Sequence, residues 1–274
     1  MLKNKERDID AIFLDLDGTV LNENGEISAE LISCISKLKS LNVLIFLVSG
    51  RSYESILPHY NTLNLNTPII AYNGSQLLSS KGEMLKENIL NSLLVRDALK
   101  IAIKSEVYIQ FYIDKQACYI GDENLAMEYC RKSGIMPIKL KQLEHIENRC
   151  TNGMFLVSEY NCNNSPLLSI IRDLEKSSLW SEYGSFYLSS CGTLEFSNKG
   201  ISKGAMVTHL IDDLQIDPKR TLAIGDGLND KEMLEIAAYS AAMGNASDEL
   251  KEIADLTIES NSNNGVANFL ESIF

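Results

Sequence analysis

The stretch AIFLDLDGTVLNENGE (11–26) sets two carboxylates, Asp15 and Asp17, one residue apart at the end of an apolar run. AIFLDLD reads as a strand, and a charge at the end of a buried strand is costly unless something binds it. Three readings compete: a calcium loop, a sugar-nucleotide metal site, and a nucleophile for phosphoryl transfer. With Asp15 as position one, Asp17 and Glu26 fall where an EF-hand has its third and twelfth residues. Val20, however, takes the place of the glycine that the sharp turn at position six requires, and Ile12, Phe13 and Leu14 read as a strand where an EF-hand has a helix. The calcium reading fails on both counts. An Asp-x-Asp metal site of the glycosyltransferase kind fits the dipeptide spacing alone and stays open until the rest of the chain is read.

At 274 residues the chain has room for one large or two modest domains, and its 45% hydrophobic content is ordinary for a globular protein. A formal charge of −12, from 25 basic and 37 acidic residues, argues against nucleic acid or an anionic membrane as the main partner. No obligate protein partner is evident either. Six cysteines (Cys34, Cys118, Cys130, Cys150, Cys162 and Cys191) form no C-x-x-C pair, the pattern of reduced thiols in a cytosolic compartment. The leader MLKNKERDID is charged, without an apolar core, and no apolar run reaches membrane-spanning length. A soluble, cytoplasmic protein is expected.

Outward from the opening stretch, strand and helix signals alternate. Ser28 is placed to cap a helix whose Ile27, Leu31, Ile32, Ile35, Leu38 and Leu41 recur every three to four residues. VLIFLV (43–48) and PIIAY (68–72) are short continuous apolar runs, as in parallel strands buried on both faces, and Asn73-Gly74 then gives a hairpin signal. The alternation resumes with a helix over 203–214, TLAI (221–224), a helix from Asp230, SAAM (240–243) and a helix over 248–254. Such alternation implies a parallel, doubly wound, Rossmann-like α/β sheet. The middle differs. VYIQFYI (107–113) alternates with period two, with Tyr108, Gln110 and Tyr112 on one face, and ACYIGD, GMFLVSE and SFYLSS are further strands. An inserted α+β domain with a sheet covered on one face is expected, dividing the chain into core (1–85), insertion (86–190) and core (191–274).

In open α/β sheets, ligands sit beyond the carboxyl ends of the strands. Asp15 and Asp17 end the first strand, SGR (49–51) ends VLIFLV, GDGLND (225–230) follows TLAI, and Lys203 opens a helix after NKGISKG. Each cluster alone is unremarkable; a Ser-Gly turn is common and a lone lysine is usually solvated. Their joint placement around one sheet edge carries the inference. With DLDGT (15–19), Ser49 in LVSGR, Lys203 in GISKG and GDGLND in this order, the sequence resembles the haloacid dehalogenase superfamily of phosphatases. It is similar to the Cof-type branch (type IIB), whose C2-type cap is inserted between the second and third motifs. YNG (72–74), AAMGNA (241–246) and NNGVANFL (263–270) are secondary matches, with Asn264 where that branch more often has Asp.

The resemblance implies a magnesium-dependent phosphatase acting on small-molecule phosphate esters through an aspartyl phosphate. Phosphate monoester hydrolysis without a catalyst is slow enough to require up to ~10²¹-fold acceleration, and a carboxylate nucleophile divides it into two easier steps. By resemblance, Asp15 attacks phosphorus, while Asp17 protonates the leaving oxygen and later deprotonates water. In a continuing strand both side chains would share one face, with Gly18 turning the chain away. Mg²⁺ would be held by the Asp15 carboxylate, the Asp17 carbonyl and the Asp226 carboxylate, with Asp230 behind them. Leu16, Ser49, Gly50, Lys203 and Asn229 would bind the phosphoryl group or substrate. Cation and lysine together would offset the paired aspartates.

A glycosyltransferase has no call for GDGLND or a lysine after a large insertion, and a receiver-type phospho-acceptor domain would be less than half this length. A phosphomutase of the same superfamily, or a binding protein that kept the pocket without turnover, remains as the alternative. His59, His145 and His209 share no metal-ligand spacing and read as surface or core residues, and Trp180 reads as packing. Arg51 suits a substrate contact or a structural ion pair equally. The tyrosine face of VYIQFYI is expected to turn toward the core domain and touch the leaving group.

Overall fold

The computed structural model describes residues 9–114, 116–131, 135–140, 149–157, 166–190 and 192–274, with backbone alone at 189 and 190. His145, Cys162, Cys191 and leader residues 1–8 lie outside the described residues. The chain divides into two compact units, Met1–Lys86 with Ser202–Phe274, and Glu87–Ile201.

The first unit begins with β1 (Ala11–Leu14), α1 (Ala29–Ser40), β2 (Leu44–Leu47), α2 (Tyr53–Thr62), β3 (Ile69–Ala71), β4 (Gln76–Leu78) and β5 (Met84–Glu87). The Ser28 hydroxyl accepts from the Leu31 amide, so α1 starts where its capping signal stands. Leu31, Cys34, Ile35 and Leu38 form its buried stripe, and a fully buried Leu or Ile contributes about 1.5–3 kcal/mol. The run at 68–72 departs from the expected parallel strand. It forms an antiparallel hairpin, β3 with β4, and meets β2 only at its end, through a parallel Val48–Ile70 bridge.

The second unit carries α3 (Ser92–Ser105), β6 (Tyr108–Ile113), β7 (Gln116–Ile120), α4 (Glu123–Arg131), β8 (Ile138–Lys139), β9 (Cys150–Leu156), α5 (Pro166–Lys176), α6 (Ser178–Tyr183), β10 (Gly184–Ser190) and β11 (Thr193–Asn198). Its mixed sheet has the order β10-β11-β9-β6-β7-β8. On one face Ile109, Phe111, Ile113, Phe155, Leu194 and Phe196 pack with Leu94, Ala98, Leu167 and Ile170 of the helices. Trp180 closes this core edge-on to Phe196 and donates to Asp97 Oδ2 at 2.7 Å.

The sequence reading misjudges this unit at two places. First, β11 pairs with β9 and β10, so the boundary expected at 190/191 cuts through a hairpin. The side chain of Asn198 holds the two ends of the insertion together, accepting from the Asn91 amide and donating to the Ile89 carbonyl. Second, the sheet is covered on both faces. Tyr108 and Gln110 are buried with Tyr119, Leu156 and Ala126 of α4, while Tyr108 donates to Gln110 Oε1 at 2.6 Å. The tyrosine face is thus packed inside its own unit, because α4 folds over it.

The chain completes the first unit with α7 (Lys203–Asp213), β12 (Thr221–Gly225), α8 (Lys231–Ile236), β13 (Tyr239–Ala242), α9 (Asp248–Ile253), β14 (Leu256–Thr257) and α10 (Gly265–Ile273). Its sheet, order β14-β13-β12-β1-β2, is parallel throughout. Phe13, Phe46 and Ala223 on one face pack with Met206, Val207 and Leu210 of α7 and with Met233 and Leu234 of α8. The alternate residues Ile12, Leu14, Ile45 and Leu47 are equally buried on the other, where α1 packs on β2 and α10. This is the α/β core with an inserted mixed sheet. Among the described residues, no helix is long and apolar enough to cross a membrane.

Candidate active site

The carboxyl edge of β1 and β12 gathers the clusters singled out in the sequence. Asp15 follows β1 directly; its amide donates to the Ile224 carbonyl of β12 at 3.0 Å, which sets its side chain at the junction of the two central strands. Asp15 is buried, and so is Lys203, at 1% exposure. Lys203 Nζ lies 2.5 Å from Asp15 Oδ1 and 2.6 Å from Asp230 Oδ1. Lys203 is the first residue of α7, which Ser202 caps by accepting from the Ala205 amide. An ammonium group at a helix N-terminus is opposed by the helix dipole, so its position depends on the two carboxylates. Burial pushes the Lys203 amine down, but Asp15 and Asp230 together hold it well above its ordinary value.

Asp230 is fully buried, and its second oxygen, Oδ2, accepts from the Asp226 and Gly227 amides at 3.0 Å each. Both of its oxygens are therefore engaged, one with the lysine and one with the turn that presents Asp226. A Cβ on Gly225 would lie 2.5 Å from Asp230 Oδ2, so the first glycine of GDGLND is needed for that close approach. Asp226 accepts from Thr19 Oγ1 and Asn245 Nδ2, both at 3.2 Å. Burial and then the Asp230 charge push its carboxyl up to about 6, against the opposing pull of Lys203. Asp15 is likewise raised well above the usual carboxylate range, chiefly by burial and next by Asp230, with Lys203 opposing.

The two aspartates of the opening stretch part company. The strand stops at Leu14 instead of continuing, and Gly18 adopts φ +75°. Asp15 turns inward to Lys203, whereas the Asp17 side chain is 56% exposed. Arg51 grips Asp17 with both arms of its guanidinium, Nε to Oδ2 at 2.7 Å and Nη2 to Oδ1 at 2.5 Å, while Nη1 stands 3.4 Å from His59 Nε2. The arginine left open between two roles thus forms an ion pair, and its partner is the second aspartate. Two residues of one type, two apart, occupy different electrostatic surroundings.

Ser49 and Gly50 follow β2, and the Ser49 amide donates to the Ile70 carbonyl at 2.9 Å. The Leu16 side chain is fully buried, so its main chain is the part that can offer a polar contact. Asn229 donates to Asn73 Oδ1 at 2.9 Å. Sequence reasoning attached no role to Thr19, Asn73 or Asn245. YNG and AAMGNA match the family pattern, but a lone asparagine in a loop carries no local sign of its long-range partner.

Carboxylate oxygens from Asp15, Asp226 and Asp230 lie within 4.8 Å of one another. Asp230 is held by an ammonium group and two backbone amides, whereas Asp226 accepts two long side-chain hydrogen bonds at 3.2 Å and Asp15 meets Lys203 through Oδ1, so Asp15 and Asp226 are the carboxylates better able to turn to a cation. Hard oxygen donors crowded enough to raise one another's affinity for protons suit Mg²⁺, which binds through one or two carboxylates and keeps several waters.

Comparison with known proteins gives the family. Residues 12–270 match the haloacid dehalogenase-like hydrolase family. A phosphatase of Bacillus subtilis is 26% identical over 283 residues, covering 96% of this chain and 99% of the relative. A 5-amino-6-(5-phospho-D-ribitylamino)uracil phosphatase of the same organism is 27% identical, covering 96% and 97%. The crystal structure of a haloacid dehalogenase-like hydrolase from Bacteroides thetaiotaomicron superposes with a TM-score of 0.84 at 25% identity, covering 97% of this chain and all (100%) of that one. With a match across nearly its whole length and the cap inserted between the second and third motifs, the chain belongs to the haloacid dehalogenase-like hydrolase family, in its Cof-type phosphatase branch.

Proposed function

We propose that the protein hydrolyses small-molecule phosphate monoesters, sugar phosphates or similar metabolites, by a Mg²⁺-dependent reaction through an aspartyl phosphate on Asp15. The observation that carries this reading is the pairing of a buried Asp15 with a buried Lys203 beside Asp226, while Asp17 stays accessible on the same loop. Asp15, whose Oδ1 faces the Lys203 ammonium, is the nucleophile. Lys203 then faces both the carboxylate and the charge of the phosphoryl group, acting as a fixed electrostatic stabiliser in a site shielded from water. Ser49, the Gly50 amide, the Leu16 main chain and Asn229 bind the phosphoryl oxygens or orient the substrate.

Released from Arg51, Asp17 takes up a proton from solvent, gives it to the departing oxygen and afterwards takes one from the water that cleaves the acyl phosphate, returning it to solvent. The Arg51 fork holds its carboxylate until substrate arrives. Asp15, Asp226 and the Asp17 carbonyl would hold Mg²⁺, which supplies charge neutralisation between the aspartates and the phosphate dianion. Asp230 keeps Lys203 and the Asp226 turn in place. The ribitylaminouracil phosphate phosphatase among the relatives supports a metabolite substrate of this size.

The test is turnover of an aryl phosphate and of a panel of metabolite phosphates, scored by kcat/KM with Mg²⁺ and after chelation. Activity that chelation removes and Mg²⁺ restores is expected. Full activity in metal-free protein sinks the metal assignment, transfer of the phosphoryl group to a sugar in place of water marks a mutase, and no turnover of any ester leaves a binding protein.

A further inference from the structure

The turn YNG (72–74), which the mechanism does not use, is bent in an unusual way. Tyr72, Asn73 and Gly74 all have positive φ, at 48°, 52° and 92°. Such a conformation is an outlier for a tyrosine and uncommon for an asparagine. A two-residue type I′ turn between β3 and β4 would need less, so the local hairpin does not account for it. Strained backbone of this kind persists where surrounding contacts determine it, and it clusters at functional sites.

The contacts are on three of the clusters described above. The Asn73 amide donates to the Ser49 carbonyl at 3.0 Å, and its side-chain Oδ1 accepts from Asn229 at 2.9 Å. Its amide group lies flat against Gly50, where an added Cβ would meet Asn73 Nδ2 and Oδ1 at 3.0 Å. A Cβ on Gly74 would lie 2.1 Å from the Ser202 carbonyl, next to Lys203. The Tyr72 amide donates to the Arg51 carbonyl at 3.0 Å. One buried asparagine thus touches Ser49, Gly50 and Asn229, which come from two loops 180 residues apart in the chain, roughly.

We propose that Asn73 is a positioning residue that sets the phosphoryl-binding geometry of Ser49, Gly50 and Asn229, using the left-handed turn to bring its main chain to one loop and its side chain to the other. The inference rests on the reading of those three residues as phosphoryl-binding groups. Positive φ at position 73 is what lets one residue present its amide to Ser49 and its carboxamide oxygen to Asn229. A β-conformer would give up one of the two.

The test uses the full chain with Mg²⁺ and inorganic phosphate as the probe, with binding read by calorimetry and by product inhibition. Asn73→Gly keeps the turn conformer but removes the side chain. It should weaken phosphate binding and lower kcat/KM by about tenfold to a hundredfold, the scale of misplacing catalytic groups by about an ångström. In the Asn73→Gly background, Asn229→Ala should add less than it costs alone, because the two act through one hydrogen bond. Asn73→Asp keeps shape, turn and the acceptor for Asn229, so it preserves the fold even if the glycine variant does not, but it sets a negative charge against Gly50. It should weaken phosphate binding at least about tenfold, the effect of a like charge beside a bound dianion. Wild-type phosphate affinity in Asn73→Asp, or full additivity of Asn73→Gly with Asn229→Ala, overturns the inference. Ser49→Ala separates the two levels: if it leaves phosphate binding intact, the phosphoryl-binding reading itself fails, and if it weakens binding while the Asn73 variants do not, only the role of Asn73 fails.

Discussion

Replacing Lys203 with methionine removes the cation that touches both Asp15 and Asp230, and the cost can be worked from the geometry. At 2.5 and 2.6 Å and an effective dielectric constant of about 20, each contact is worth roughly 6–7 kcal/mol before desolvation. Most of that gross attraction is offset, since burying the ammonium and two carboxylates is itself expensive. Removing one partner of a buried pair costs about 3–5 kcal/mol, because the charge left behind has neither water nor partner. The variant can relieve this only by protonating a carboxylate, at about 1.4 kcal/mol for each pH unit above the carboxyl's unfolded value. That unfolded value is near 3.8 for aspartate. A carboxyl raised in the folded state stabilises the fold below its unfolded pKa, and that contribution is lost as pH rises through the folded pKa. The deficit of Lys203→Met should therefore be largest at about pH 8 and shrink by up to roughly 4 kcal/mol toward about pH 5 for one proton taken up. In the parent protein Lys203 is raised, so its own contribution is intact below about 10.5 and is lost only at higher pH. Urea unfolding followed by circular dichroism, with chelator present so that no cation contributes, measures the difference at both pH values. Fluorescence of Trp180, the single tryptophan, reports the inserted unit and serves as the internal reference. A deficit below about 1 kcal/mol at pH 8, the scale of an exposed ion pair, or one that does not change with pH, would refute the reasoning.

Gly18→Ala and Gly25→Ala form a matched pair. Both glycines have φ +75°, but a Cβ at Gly18 would lie 2.1 Å from Asp226 Oδ2 while nothing lies within 4 Å at Gly25. Each should lose about 1 kcal/mol of stability from the left-handed conformation, and Gly18→Ala alone should also raise the Mg²⁺ concentration for half-activation about tenfold or more; equal metal dependence in both would count against the geometry. Because burial and the Asp230 charge push the Asp226 carboxyl up to about 6, protons compete with the cation, so half-activation by Mg²⁺ should need more metal as pH falls below that value, and a flat dependence from about pH 5 to 8 would contradict it. Asp15→Asn should form no phosphoenzyme with any ester, while Asp17→Asn should form one from an aryl phosphate, whose leaving group needs little protonation, and then stall for want of a base. Rapid-quench detection of a hydroxylamine-sensitive acyl phosphate decides between them, and a phosphoenzyme in Asp15→Asn with none in Asp17→Asn would reverse their roles.

Misjudged elements share a physical cause. Alternation in VYIQFYI correctly marks a strand with two unlike faces, but amphipathic tyrosines suit a solvated face and a packed one equally. That α4 covers this face, with Tyr108 bonded to the buried Gln110, depends on a helix that follows β7 and folds back. The boundary expected at 190/191 leaves TLEFSN (193–198) in the core, yet its edges are completed by β9 and β10. Strand pairing over such distances leaves no local mark, since a lone strand shows its side-chain period and not its neighbours.

What the sequence by itself determined is the set of local preferences and the chemistry available. The apolar runs of β1, β2 and β12 specify buried parallel strands, Ser28 starts α1, and the polar residues at the ends of those strands must lie together because parallel strands share one carboxyl edge. That is why the clusters of Asp15, Ser49 and Asp226 could be expected at one sheet edge, while the roles proposed for them rest on the family resemblance. The tertiary structure alone decided how alike residues diverge: Asp15 buried on Lys203, Asp17 exposed on Arg51, Asp230 saturated by a lysine and two amides. It alone brought Asn73 against Ser49 and Asn229, and Asn245 against Asp226. Burial and electrostatic partnership are properties of surroundings, and those surroundings come from segments far along the chain, so a carboxylate's place in the sequence can state what it is able to do but not which cation will hold it.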